Sequence, residues 1–309
     1  IQGEIECKVP FHMQESTLSW EGNFSVLADD VKAEGVIDFA RETWSVEFES
    51  PSVVLSKYND DFPEGTVEVK GVATPQETRV SCIGKDLLYQ KEDKVLQVPG
   101  KTSPIEVTWK EGKLALQTTV PPSTLYLKSV NSPIYLEGGR LFLADEKLAI
   151  HHLQACLDEI VFQGELFYAH APLPHLQLKA ESVEGPIQNL SIFDAQVKGW
   201  EGYFKCGSDG FFLETDFVSP PQFQVKASID ELSHRFSKEI ALSQGTFNLV
   251  YESSTGAFKC TDVKGNMRLA GVELPIVAPY LSGRPGKYQF DVKCPSQSIT
   301  FQGEYENGV

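Results

Sequence analysis

Apolar and polar residues alternate almost without pause from Gly3 to Tyr305. A rhythm of two sends successive side chains to opposite faces of a strand, so each segment has one dry and one wet face. Trp20-Glu-Gly-Asn-Phe-Ser-Val26, Val31-Lys-Ala-Glu-Gly-Val-Ile-Asp-Phe39 and Gln297-Ser-Ile-Thr-Phe-Gln-Gly-Glu-Tyr305 show it most cleanly. The pattern predicts an all-β chain of half-buried antiparallel strands. Glu111-Gly112, Gly138-Gly139, Asp145-Glu146, Ser208-Asp209-Gly210 and Ser254-Thr255-Gly256 lie between alternating segments and are expected to be hairpin turns, which makes the chain a meander. Proline-bearing joints at Asp60–Gly65, Pro121-Pro122, Ala171–Pro174, Ser219–Pro221 and Pro275–Pro285 interrupt pairing, but none has the length or low complexity of a linker. Residues 1–309 are therefore expected to form one continuous segment. The rhythm breaks at Ile229, Leu232, Phe236 and Ile240, whose spacing predicts a short helix over 229–240, capped by Ser228 and acting as a lid or plug on an apolar edge.

An apolar fraction of 41% supplies a sizeable buried face, and a charged fraction of 23% argues against disorder. With 27 basic against 43 acidic residues the formal charge is -16, which repels a phosphate backbone and makes nucleic acid a poor partner. No stretch reaches the roughly 18 consecutive apolar residues of a membrane-spanning helix. The chain begins at Ile1 without a methionine, and it is read as part of a longer protein whose membrane anchor lies elsewhere.

Cys7, Cys82, Cys156, Cys206, Cys260 and Cys294 have neither zinc-ligand nor C-x-x-C spacing. All but Cys156 share the strand phase of apolar neighbours, which favours free buried thiols, with disulfides in an oxidising compartment as the alternative. No nucleophile elbow, phosphate loop or H-E-x-x-H motif occurs, so no catalytic residue, cofactor or metal is expected. His151 and His152, adjacent on a strand, point to opposite faces; His170 and His175 bracket a proline turn without a fixed acidic partner. Asn59-Asp60-Asp61 reads as a turn, since the rest of a calcium loop is absent.

Glycine recurs on the apolar face of strands: Gly22, Gly35, Gly71, Gly164, Gly202, Gly265 and Gly303 each stand between two apolar neighbours in phase. Glycine there removes a side chain and permits curvature, a bulge or the close approach of a ligand. The candidate lining face in the first half is Trp20, Phe24, Val26, Ile37, Phe39 and Val69. In the second half it is Phe162, Leu166, Tyr168, Trp200, Phe204, Met267, Phe301 and Tyr305. On pattern alone a closed β-sandwich, whose apolar faces bury each other, accommodates these residues.

Pro133-Ile-Tyr-Leu-Glu-Gly-Gly-Arg-Leu-Phe-Leu-Ala-Asp-Glu-Lys-Leu-Ala-Ile150, then Leu153-Gln-Ala-Cys-Leu157, Val161-Phe-Gln-Gly-Glu-Leu166 and Leu176-Gln-Leu-Lys-Ala-Glu-Ser182, resembles the AsmA/TamB-type envelope proteins. The likeness is closest over about fifty residues from Pro133, with looser echoes at Val31–Phe39 and Asn189–Leu213. It implies an elongated, strongly twisted, taco-like β-groove with an apolar concave face. It also implies an inner-membrane anchor, a periplasmic location in a diderm bacterium, and non-enzymatic passage of phospholipid or another acyl-chain lipid toward the outer membrane. An outer-membrane assembly barrel is an implied partner. A scaffold or chaperone-like module acting through strand edges, and an extracellular adhesive β-sandwich repeat, are the alternatives. The chain departs from the family pattern in having no anchor, many cysteines and the expected helix.

Overall fold

The computed structural model describes residues 9–26, 29–59, 62–92, 94–128, 132–170, 173–192, 199–216, 218–219, 222–238 and 240–306. Gly3, Cys7, Asp60, Asp61, Ala171, Pro172, Pro220 and Pro221, on which some of the readings above rest, lie outside them. The described residues hold 22 strands, and the chain divides into two compact units, Ile1–His151 and His152–Val309.

In the first unit β1 (Phe11–Gln14), β2 (Thr17–Val26), β3 (Asp29–Asp38), β4 (Thr43–Val54), β5 (Glu64–Ala73) and β6 (Glu77–Lys91) each pair antiparallel with the next. β6 then carries two partners end to end: β7 (Lys94–Lys101) on its second half and β8 (Ile105–Lys110) on its first. β9 (Lys113–Thr119) returns along β8, β10 (Ser123–Leu127) along β7, and β11 (Ile134–Ala144) spans both. Two long strands are thus broken at one level, by Thr102–Pro104 and by Pro121-Pro122, because proline has no N–H to give a ladder. The break is sealed by other groups: the Gly84 N–H donates to Thr102 Oγ1 (2.8 Å) and the Val120 N–H to the Gly139 carbonyl (2.9 Å). Gly138-Gly139, expected as a hairpin turn, lies instead inside β11, opposite the proline break.

β12 (Lys147–Leu157) carries the boundary between the units. The second unit repeats the device: β13 (Ile160–Ala169) pairs with β14 (His175–Pro186), and β15 (Trp200–Cys206) and β16 (Phe211–Thr215) lie end to end between β14 and β17 (Gln222–Arg235). Ser208–Gly210 therefore joins two halves of one broken strand and is not a hairpin. β18 (Ile240–Glu252), β19 (Ala257–Leu269), β20 (Val272–Arg284), β21 (Lys287–Cys294) and β22 (Ile299–Glu306) complete the meander. Two expected turns have the required left-handed backbone, Glu111 and Gly112 at φ 51° and 78° and Asp145 and Glu146 at 47° and 62°.

Among the described residues of 229–240 no helix forms: 229–235 are the end of β17, 236–238 a bend, and Ile240 the first residue of β18. The helix-like spacing of Ile229 and Leu232 comes from a β-bulge: the register with β18 jumps between them, Glu231 takes φ 55°, and both apolar side chains return to the same buried face. One extra residue in a strand converts a spacing of two into three. The helical pieces among the described residues are the 3₁₀ turns Leu55–Lys57, Ile187–Ile192 and Pro295–Gln297. Similar irregularities cross neighbouring strands, with Gly202 at φ 144° in β15, Gln244 at 53° in β18 and Asp262 at 57° in β19. Bulges bend the strands that carry them and increase local twist.

Candidate functional site

Cross-strand register decides which of the candidate residues share a face. In the first unit one row runs Gly22, Ala33, Phe48, Gly71, Val80, Val107, Leu116, Leu143 across β2, β3, β4, β5, β6, β8, β9 and β11, and every member is apolar or glycine. A neighbouring row holds Trp20, Gly35, Val46, Ala73, Thr78, Trp109 and Leu114. In the same phase Phe24 faces Val31, and Ser50, Val69, Cys82 and Ile105 form a further row. Trp20, Phe24, Ile37, Val69, Gly22, Gly35 and Gly71 are therefore brought together on one face, and Val26 ends that phase opposite Asp29. Phe39 lies beyond β3 and is 55% exposed, outside the rows.

The glycines have a specific tenant. A Cβ on Gly35 would run into the Trp20 indole, and one on Gly71 into the Phe48 ring. Gly283 is likewise overlain by Phe258 and Tyr288, and Gly303 by Phe290. Each is a direct cross-strand neighbour of its ring, so aromatic side chains lie flat across glycine in place of standing up from the sheet. The space expected to admit a ligand is filled at these positions by the protein's own rings. Gly202 and Gly265 act differently, meeting the backbone of Leu232 and of Gly245 along the line of bulges. Gly164 meets the backbone of β14 where register shifts.

The opposite face of the first unit is charged. Lys32 pairs with Glu21 (2.9 Å), Lys70 with Glu49 (3.8 Å), and Ser81 donates to Glu106 (2.8 Å). The Glu21 carboxylate, as hydrogen-bond acceptor and as charge, raises the Lys32 ammonium above its usual value. A hollow of about 400 Å³ in this unit is lined by the charged Lys32, Glu34, Glu47, Glu49, Lys70 and Arg79 together with Ala33, Phe48, Gly71 and Val80 of the apolar row. At one margin Asp29, only 4% exposed, accepts from Lys57 Nζ (2.9 Å) and the Tyr58 hydroxyl (3.1 Å). These partners hold a buried carboxylate at the edge of the apolar rows.

In the second unit Phe162, Gly164, Leu166 and Tyr168 alternate in one phase of β13, facing Val183, Ala180, Leu178 and Leu176. Phe204 pairs with Ile229 and is 7% exposed within a buried cluster that includes Ile160, Ala180, Val183, Ile187, Cys206 and Leu232. Trp200 stacks on His234 at 4.4 Å, and Met267 faces Leu242 and Leu274. Phe301 and Tyr305 sit in β22 opposite Val292 and Tyr288. The 3₁₀ turn Ile187–Ile192 supplies Ile187 and Leu190 to the cluster, closing that part of the face.

Five cysteines are free thiols, Cys206, Cys260 and Cys294 buried and Cys82 and Cys156 half-buried. Burial pushes the Cys206 and Cys260 thiols up to about 11, so they act as small apolar groups. The described residues contain no cluster of His, Cys, Asp and Glu able to hold a metal. His170 Nδ1 lies 3.2 Å from the Tyr168 hydroxyl and His175 Nε2 lies 3.2 Å from Glu214, so each has a partner of its own. Phe48, Val80, Val107 and Leu116 were absent from the sequence-based face. Their signal was Gly71, which marks a ring on the adjoining strand, but naming that ring requires the register.

Compared with protein-family models, curated proteins and solved structures, the chain matches none.

Proposed function

We propose that this chain carries phospholipid, without catalysis, along an apolar β-groove. In this reading it is part of an envelope protein anchored in the inner membrane of a diderm bacterium, spanning the periplasm and supporting outer-membrane assembly with a barrel partner. The observation that carries the proposal is the unbroken row from Gly22 to Leu143, whose members other than Ala33 stay only half-buried. Eight strands at about 4.8 Å spacing give such a row a length of roughly 34 Å. Each acyl CH₂ buried along it contributes roughly 0.8 kcal/mol, while a step from one Val or Leu to the next changes little, so lipid is retained yet free to slide. The apolar side is the one proposed to hold the lipid, with the Lys32–Glu21 and Lys70–Glu49 pairs on the wet side.

Native mass spectrometry of the purified chain tests the reading. Lipid adducts are expected on the wild type and are expected to disappear in Val80→Glu and Leu116→Glu, each of which puts a charge into the row while leaving the strand pairing intact. A wild type free of lipid, or variants that retain it equally, would count against lipid carriage.

A further inference from the structure

We propose that the adjacent β17–β18 and β19–β20 tips of the second unit dock the chain onto an anionic phospholipid bilayer. This goes beyond lipid carriage and stands on separate residues. Ile240, Leu269 and Val272 form one cross-strand row, the last before the tips, in phase with Leu242, Met267 and Leu274. They are 40%, 39% and 57% exposed, and Phe236 beside them is 54% exposed. Phe236 is braced edge-on against Trp200 (5.8 Å) and His234 (4.6 Å), themselves stacked, so the ring is fixed in place with its free side outward.

Charge selects the partner. In a chain with 27 basic and 43 acidic residues, the tip segments His234–Ile240 and Arg268–Glu273 reverse the balance, with Arg235, Lys238 and Arg268 against Glu239 and Glu273. The three cations are exposed, and none forms an ion pair among the described residues; the Arg235 side chain donates only to the Ser237 carbonyl, at 3.3 Å. By contrast Lys113, beside the exposed Leu114 of the first unit's β8–β9 tip, is paired with Asp145 at 3.6 Å. An apolar tip flanked by exposed cations that have no ion pair among the described residues, with Trp and His rings behind it, matches the boundary between headgroups and acyl chains: the apolar groups enter and the cations meet phosphate.

Co-flotation of the full chain with vesicles of phosphatidylcholine, and of phosphatidylcholine mixed with phosphatidylglycerol, tests the docking. The wild type is expected to float with the mixed vesicles. Phe236→Ser with Val272→Ser should weaken binding about tenfold or more on both, and Lys238→Gln with Arg268→Gln about tenfold on the mixed vesicles alone. Val36→Ser, on the wet face of the first unit and 45% exposed, should change nothing. Circular dichroism checks folding, and Val272→Ser alone serves where the pair misfolds. A wild type that stays with the soluble fraction, tip variants that float equally, or a matching loss in Val36→Ser would overturn the proposal. Because flotation reads attachment and native mass spectrometry reads carried lipid, either idea fails without the other.

Discussion

Phe48 of the first unit and Phe204 of the second begin from the same sequence pattern and end in different surroundings. Phe48 lies half-buried across Gly71 in an apolar row, whereas Phe204 is 7% exposed and walled in by Ile187, Ile229 and Cys206. The buried apolar residues repeat the contrast: among the described residues they are Ala33, Val67, Val98 and Val120 in the first unit, while the second contributes fourteen, including Ile160, Val183, Phe204 and Leu232. Both units are antiparallel meanders interrupted at one level, across two strands in the first and one in the second, so topology alone does not account for the difference. Around Phe204 the 3₁₀ turn Ile187–Ile192 lays Ile187 and Leu190 onto the face. A strand meander supplies apolar rows, and a covering segment decides whether they become a core.

The sharpest way to break the contrast is a matched truncation. Phe204→Ala should cost about 3–5 kcal/mol, and Phe48→Ala less than half of that, because only the first leaves a cavity in a closed cluster. Denaturant unfolding followed by circular dichroism reads both, and equal losses would mean that the first unit is as closed as the second. Phe204→Glu is expected to unfold the second unit, so lipid loss in that variant would carry no information about a lining.

Gly71→Ala comes next, at about 1–3 kcal/mol, since the added methyl must displace the Phe48 ring and also meets the Arg79 carbonyl oxygen at 2.9 Å. Partial restoration by the double variant Gly71→Ala with Phe48→Leu would show that glycine is there in part to seat the ring.

The thiols sharpen the same comparison through pH. Cys206 and Cys260 are raised to about 11 by burial, so in the unfolded chain they ionise first, at the ordinary value near 8.5. Their contribution to stability is complete below that ordinary value and is lost as pH rises toward 11. The second unit should therefore weaken between about pH 8.5 and 11, and alkylation of these two thiols at pH 8 should await unfolding. Mass-spectrometric labelling that finds them modified in the folded chain would show the cluster to be open.

The smallest effect expected is that of Glu231→Gly. At φ 55° in a bulge, glycine relieves a left-handed backbone and should be neutral or stabilising by up to about 1 kcal/mol. In a helix the same change would cost about 1 kcal/mol, so the sign alone separates a bulge from a helix.

Period-two alternation made the strands legible, and the Glu-Gly and Asp-Glu turns followed from their backbone needs. Three features escaped for one reason, that they depend on what lies across the sheet. Gly138-Gly139 has the composition of a hairpin turn but faces a proline break in the adjoining strand. Ser208–Gly210 joins collinear strands, which only the shared pairing with β14 and β17 reveals. Ile229 and Leu232 imitate a helix because a bulge adds one residue between them. The candidate face was legible as a phase, Trp20, Phe24, Ile37 and Val69 among its members, but Phe48, Val107 and Leu116 join it through register, to which alternation is blind.

Photocrosslinking with a phospholipid that carries a photoreactive acyl chain tests the central claim most directly. Adducts mapped by peptide sequencing are expected along the rows of the first unit, at Phe48, Val80, Val107 and Leu116, with few on the wet-side Glu21, Glu34 and Glu47 and few in the closed cluster around Phe204. Adducts spread equally over both faces, or none in the rows, would contradict it.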